Sequence, residues 1–568
     1  MAIPDHVWFP AMISPNNILA FLNSTVVTQF RIQQVLSYLR LKSQSAVTQE
    51  REQELDLSAF VKYSMKLHYL IIIVPLLFPA HIFGQELPDL GDVSQATVTP
   101  HQERQIGMQI MREIRADASY LDDPEITDYL ARLGHRLISA AGQTNSDNPF
   151  EFFAIDDSSI NAFALPGGFV GFHSGLITAA QNESELAGVM AHEIAHVTQK
   201  HLARMLSGSS YLGIIGSIAA LAIAILASRS NPQAGQAVLA TAQASAIQSQ
   251  LNFTRKHEKE ADRVGFGMLV KAGFDPHGMS TFFERMQHAS RYYENGIPSY
   301  LMTHPVTHER IADIQNRTRE LGYRQVPDSL EFHLVRAKIR ASRGNPASIV
   351  SEFKARLQDK RYINEIAERY GLIQALLRAK QFKQADEELN TLYRTIQSDS
   401  SAQPLRNHRL GKPIQVEGDY LQSAAMIETL AARVKFADGQ IDDAFKLYQA
   451  ALQSFPHYRA LVYDYVDALL EHKDAQTALN FINEQSRFIH DDIRLYRLTA
   501  QCHAALGNAL LQHQAEAEAL IREGNLRAAI EQLQVALRYK HDNFYQLSSV
   551  EARLRQIKEF VAAEEKNK

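Results

Sequence analysis

His192-Glu193-Ile194-Ala195-His196 is the segment whose residue types and spacing carry chemistry most directly. On a helix, at roughly 100° per residue, the two histidines lie about 40° apart and one turn from each other. Two imidazole nitrogens can then meet one zinc ion at about 2.0–2.1 Å. Glu193, beside the first histidine, can reach a water there as general base. The chemistry this predicts is zinc-assisted hydrolysis, with one Zn2+ per chain. A third ligand must come from another element. In FTRKHEKEADRVGFGMLVKAG, Glu258 and Asp262 are four apart and share a helix face. Glu258 is the candidate ligand and Asp262 the outer partner that would orient a ligating histidine. His257 and Glu260 are rival ligands. His201 does not extend the motif, because the HExxHxxGxxH pattern needs Gly where Gln199 stands and its last His one position later. On a continued helix His201 points about 180° away from His192 and reads as a solvated surface residue.

The elements that must position these groups are legible around them. From Glu183 to His201 the apolar residues Leu186, Val189, Met190, Ile194 and Val197 recur at helical spacing, with no Pro or Gly after Gly188. The acidic helix downstream ends at Gly273. Residues 150–176 are rich in Phe, Val and Gly, with turn residues at Asp156-Asp157 and Gly167-Gly168, and read as strands leading into the HExxH helix. An edge strand there can pair with extended substrate through its backbone. Asn161, Ala162, Phe163, Gly167 and Gly168 are the candidate cleft wall, with a purely structural hairpin the equal alternative.

HEIAH followed by EKEAD, an ExxxD pattern, resembles the gluzincin peptidases. That family includes the CAAX prenyl endopeptidases, the heat-shock protease HtpX and the mitochondrial Oma-type proteases. The resemblance draws in Thr303-His304-Pro305 and Arg310, which match an HPxxxxR segment. It implies that His304 lies near the metal as a gating or transition-state residue, with Arg310 its neighbour in the cleft. It also implies that His304 can fill the open zinc position and keep the enzyme latent. A neutral imidazole is a good fourth zinc ligand, so the implication is physically sound.

The stretch MKLHYLIIIVPLLFPAHIFGQE, from Met65, has Lys66, an apolar run from Leu70 to Phe78, and Gly84 before polar sequence. That is the layout of a secretory signal peptide at 65–84, with 1–64 an upstream extension from a misassigned start. The mature chain is then expected to begin near Gln85 in the periplasm, and with no Cys after the apolar run it has no lipoprotein anchor. A second apolar run, Tyr211 to Ser228, lies in an Ala-rich helical insertion at 205–250. Its Ala, Gly and Ser content favours a buried or peripherally membrane-touching helix over a span.

The 568 residues suggest about two to four domains. Hydrophobic residues at 45% and charged residues at 21% fit a soluble globular protein. A net charge of -5 gives no basic stripe and argues against nucleic-acid binding. Cys502 is the one cysteine, so neither an intrachain disulfide nor a Cys-based metal site can form.

From about residue 329 the chain becomes Ala-, Leu- and Gln-rich. Gly439, Ala444, Tyr448, Ala451 and Pro456 sit as in the second half of a tetratricopeptide repeat. A period of about 34 residues carries Ala444 to Ala478 and Lys473 to Gly507. Gly524, Ala529 and Ala536 repeat the offsets, Gly344 and Ala385 mark weaker units, and 396–420 reads as an interrupting loop. Stacked helix pairs build a concave surface for protein partners. The expected architecture is mainly α: a zincin-like α+β metallopeptidase domain at 85–328, then an α-helical tetratricopeptide solenoid at 329–568. This combination resembles the periplasmic members of the family. It implies degradation of misassembled envelope proteins, with outer-membrane proteins and their assembly machinery as clients and partners. The alternative is a chaperone or assembly scaffold whose peptidase is mostly latent. An integral-membrane prenyl protease is disfavoured, since it would need several long apolar spans.

Overall fold

Helices dominate the computed structural model, which describes residues 99–142, 149–206, 255–289, 299–322, 326–399, 402, 404–405, 419–539 and 544–566. The segments expected to be an upstream extension (1–64) and a signal peptide (65–84) lie outside the described residues, as does the apolar run 211–228. No helix among the described residues is long and apolar enough to cross a membrane.

The N-terminal region opens with α1 (Pro100–Ala116) and α2 (Pro124–Ala140). Thr99 and Gln102 form a reciprocal capping box on α1, and the Asp123 side chain accepts from the first amides of α2 with Pro124 just inside. A three-stranded sheet follows: β1 (Glu151–Ile155), β2 (Ala162–Leu165) and β3 (Phe169–His173), in the order β1-β3-β2. β1 runs parallel to β3, and β2 pairs antiparallel with it, placing Ala162 opposite Phe172 and Phe163 opposite Gly171. Then come α3 (Ser174–Ala179), α4 (Glu183–Thr198) and α5 (His201–Leu206). After the undescribed insertion lie α6 (Arg255–Lys271), α7 (His277–Ala289), α8 (Ser299–Thr303) and α9 (His308–Arg319).

Helix α4 is buried from Glu183 to His196, because α2, α6, α7 and β2 all pack around it. Small residues permit that density. A Cβ added to Gly265 on α6 would come within 2.9 Å of the Ala191 backbone, and one on Gly278 within 2.5 Å of Ser184.

The remainder is helix upon helix: α10 (Leu330–Ser342), α11 (Pro346–Gln358), α12 (Glu365–Arg378), α13 (Phe382–Ser398), α14 (Asp419–Ala437), α15 (Ile441–Ser454), α16 (Arg459–Glu471), α17 (Ala475–Gln485), α18 (Ile493–Ala505), α19 (Ala509–Arg522), α20 (Leu526–Ala536) and α21 (Phe544–Lys566). Gly439, Lys473 and Gly507 all have positive φ, at 79°, 64° and 74°, and each ends the first helix of a pair. Ala444 and Ala478, one period apart, are fully buried where paired helices meet. Of the loop expected at 396–420, residues 396–398 continue α13 and 406–418 lie outside the described residues.

The two regions share one compact unit. Their seam is the start of α2. Lys338 Nζ of α10 is 2.6 Å from both Asp123 and Glu125. The Tyr370 hydroxyl donates to Glu125 at 3.1 Å, and that of Tyr458 at 3.4 Å. Arg459 reaches Asp128 at 2.7 Å. Lys338 and Tyr370 thereby bring α10 and α12 of the C-terminal region onto a peptidase-side helix.

Candidate metal centre

The close approach of α4 and α6 sets the site. His192 and His196 project from one face of α4, and Glu258 and Asp262 from the facing side of α6. His304 enters from the end of α8. The Nε2 atoms of His192 and His196 are 3.0 Å apart, and each lies 3.5 Å from a Glu258 oxygen. His304 Nδ1 is 3.4 Å from His192 Nε2 and 3.1 Å from Glu258 Oε1. One donor atom from each of the four residues falls within 4.8 Å of the others, and all four residues are buried. Four donors about 2.1 Å from a common centre in a tetrahedron are separated by roughly 3.4 Å, so this set fits a small cation.

Glu193 adds a second observation. It is fully buried, and neither carboxylate oxygen has a hydrogen-bond partner. Its Oε1 is 3.5 Å from His304 Nε2. A buried carboxylate without donors is costly, and is tolerated where something else is meant to meet it.

Charge is organised around the donors. Burial pushes Glu258 up, but His304, His192 and Arg310 outweigh it and hold the carboxyl well below its usual range. Asp262 is likewise lowered against burial, chiefly by Arg310, which donates Nε to Oδ2 at 2.6 Å and Nη2 to Oδ1 at 2.8 Å. The other Asp262 contact is His192 Nδ1, at 3.0 Å from Oδ1. Burial, followed by the neighbouring His192, pushes His196 well below its ordinary value and favours the neutral ring. Glu193 is shifted upward, principally by burial.

His304 and Arg310 belong to one clamp. Arg310 Nη1 donates to the Pro305 carbonyl at 2.8 Å and lies 2.7 Å from Glu258 Oε2, which ties the His304 turn to α6. Tyr300 stacks on His304 with ring centroids 5.0 Å apart, and its backbone N–H donates to the Ile160 carbonyl at 3.1 Å. The His304 turn is thereby bonded to the residue preceding Asn161.

Asn161 immediately precedes β2, and Ala162 and Phe163 begin it; β2 is one of the two edge strands of the sheet, β1 being the other. The Asn161 Oδ1 is buried without a partner. Gly167 and Gly168 have φ of 78° and 88°, and a Cβ on either would strike the backbone of Arg104 or Pro149. The turn joining β2 to β3 thus accounts for glycine at both.

His201 departs from the reading of it as a solvated surface residue. It is fully buried, and its Nδ1 lies 3.0 Å from His196 Nδ1. Helix α4 stops at Thr198 and Lys200 adopts a φ of 51°, so the chain reverses and the helical extrapolation no longer applies. The rival ligands join His201 and not the donor cluster: His257 stacks on its ring at 4.6 Å, and Glu260 Oε2 is 3.4 Å from its Nε2. Sequence reasoning also passed over Tyr300 and Gly265. Neither carries a motif, although a glycine inside an otherwise good helix signals close packing.

Residues 124–318, which contain all of these donors, match peptidase family M48, and residues 435–502 match a tetratricopeptide repeat. The chain is 32% identical over 482 residues to the beta-barrel assembly-enhancing protease of Escherichia coli, spanning 83% of this chain and 91% of that one. It is 36% identical over 313 residues to the protein of the same name from Yersinia pestis, 54% of this chain and 62% of that one. It is also 32% identical over 189 residues to the mitochondrial metalloendopeptidase OMA1 of Schizosaccharomyces pombe, 33% of this chain and 52% of that one. The last two alignments cover less than two thirds of the relative, whereas the first runs through both the metal centre and the repeats. The chain is a metalloendopeptidase of peptidase family M48 and belongs with the beta-barrel assembly-enhancing proteases.

Proposed function

We propose that the chain is a zinc endopeptidase of the bacterial periplasm that cleaves misassembled outer-membrane proteins and assists their assembly through its repeats. The observation that carries this reading is the four-donor cluster with the unanswered Glu193 carboxylate beside it. His192, His196 and Glu258 would hold the ion. When bound, zinc supplies a Lewis acid that polarises the scissile carbonyl and brings the pKa of a coordinated water to about 7. Glu193 takes the proton of the attacking water and later delivers it to the leaving amine. Asp262 fixes the His192 ring through Nδ1, and Arg310 fixes Asp262. Ala162 and Phe163 are the proposed wall at the open edge of β2 for an extended client, while Asn161, whose carbonyl accepts from the His173 N–H across the sheet, contributes its unused side-chain acceptor. Gly167 and Gly168 serve the turn that ends this edge.

His304 is the proposed gate. With its Nδ1 in the fourth donor position and its Nε2 toward Glu193, it fills the space the attacking water needs. This favours a largely latent peptidase, and with it the scaffold reading, in which the repeats hold a client and cleavage follows only when His304 withdraws. The name of the relatives supports clients that assemble as β-barrels, and the signal-peptide layout read in the sequence at 65–84 supports the periplasm. Any peripheral membrane contact would be made through the apolar run 211–228.

The test is casein cleavage and bound zinc, measured on three chains. Glu193→Gln should retain about one zinc per chain and lose about 100- to 10,000-fold in cleavage rate. His304→Ala should retain zinc and cleave faster than wild type. Full activity of Glu193→Gln would remove the mechanism, and an unchanged rate for His304→Ala would remove the gate.

A further inference from the structure

The outer side of His196 holds a second polar chain that the peptidase reading leaves unused. A neutral imidazole that offers one nitrogen's lone pair to a cation carries its proton on the other nitrogen. His196 turns Nε2 toward the donor cluster, so Nδ1 bears the hydrogen and its partner must accept. The atom at 3.0 Å is His201 Nδ1. To accept there, His201 must keep its own proton on Nε2, and that nitrogen faces Glu260 Oε2 at 3.4 Å. Glu260 in turn accepts from Arg204 at 3.2 Å, and Arg204 also donates to the Gln199 carbonyl in the α4–α5 turn.

We propose that His201 is a positioning residue for the metal centre, accepting the His196 Nδ1 proton while Glu260 holds its own proton on Nε2. This rests on the reading that His196 is a metal ligand. The two histidines of the HExxH motif are then oriented by different devices: His192 directly by the Asp262 carboxylate, and His196 by an imidazole backed by a carboxylate one ring further out.

Three features mark the arrangement as built. His201 has no exposed surface, and one face of its ring stacks on His257. Lys200 takes a left-handed conformation uncommon for a non-glycine residue, and that turn is what aims His201 back at α4. The charge placement is also economical of repulsion. Glu193, Glu258 and Asp262 already crowd the centre, and an imidazole supplies an acceptor without adding a fourth anion at that distance. Glu260 keeps its charge where it is partly solvated, with 23% of its side chain exposed.

The experiment uses the full-length chain loaded separately with Zn2+ and Co2+. Affinity is read by chelator competition and ligand geometry by the visible absorption of bound cobalt. His201→Phe keeps a planar ring but removes the acceptor, and should weaken zinc about 10- to 100-fold and shift the cobalt bands. His201→Asn restores an acceptor, and should recover most of both losses. Glu260→Ala, at a partly exposed position that folding tolerates, should weaken zinc about threefold to tenfold and shift the cobalt bands in the same direction. Wild-type affinity and spectrum in His201→Phe, or in Glu260→Ala should His201→Phe not fold, would overturn the proposal. Equal losses in His201→Asn and His201→Phe would also overturn it, because only packing would then matter. A wild-type chain that takes up neither metal would overturn the metal centre itself and the relay with it, an outcome distinct from the others.

Discussion

The cluster around His192 and the seam around Glu125 are both buried and both charged, yet they treat their polar atoms in opposite ways. At the seam, each Glu125 oxygen is met: Oε2 by Lys338 and Tyr370, Oε1 by Tyr458. Nearby Arg433 is paired with Asp464 through Nε at 2.8 Å. At the centre, three imidazoles and a carboxylate crowd donor to donor, and neither Glu193 oxygen accepts a hydrogen bond, although His304 Nε2 lies 3.5 Å from one of them. Saturated networks rigidify, while unsatisfied ones store free energy that a ligand releases. The difference separates the region that holds the two halves of the chain together from the one that does chemistry.

The hardest way to break this contrast is to unbalance the seam. Lys338→Met leaves Asp123 and Glu125 without their shared cation, and removing one partner of a buried pair costs about 3–5 kcal/mol. Urea unfolding should show that loss, while the folded fraction retains zinc. A loss below about 1 kcal/mol would mean the seam is wetter and weaker than its distances imply. Next in size is Gly265→Val, which forces side-chain atoms into the Ala191 backbone. Overpacking of this kind costs about 1–3 kcal/mol. Because Gly265 sets the α4–α6 distance, zinc affinity should fall with stability, a coupling that Lys338→Met should not show.

The contrast also explains what could be read from the sequence. His192, Glu193 and His196 were legible because their spacing is fixed by one helix, and Glu258 and Asp262 because they share a face of another. The helical region was legible because Gly439, Lys473 and Gly507 recur at a regular period. His201 was misread for a local reason: one left-handed residue, Lys200, changes the direction of everything after it, and lysine gives no sign of that conformation. The seam was invisible for a global reason. Glu125, Lys338, Tyr370 and Tyr458 are ordinary residues far apart in the chain, and only the packing of α2 against α10, α12 and α16 makes them partners.

The sign of the effect should reverse at the centre. Glu193→Met replaces a buried carboxylate that accepts no hydrogen bond with an apolar side chain of similar length, so the metal-free chain should gain about 1–2 kcal/mol in urea, and the zinc-loaded chain should lose cleavage. A destabilised Glu193→Met would show that the carboxylate is satisfied in the free protein, and the contrast with the seam would shrink accordingly.

The smallest change tests how redundant the seam is. Tyr458→Phe removes one hydroxyl, whose hydrogen bond to Glu125 at 3.4 Å is the longest of the three contacts to that carboxylate. Lys338 and Tyr370 remain on the other oxygen, and the buried ring is retained, so neither a cavity nor an unpaired charge results. A single neutral donor to a charged acceptor at that distance is worth about 0.5–1 kcal/mol. The variant should unfold at slightly lower urea with the same slope and should cleave like wild type. A larger loss would mean that Tyr458 anchors α16 to α2 through Glu125, and that the grip of the repeats on the peptidase depends on this one oxygen more than on the Lys338 pair.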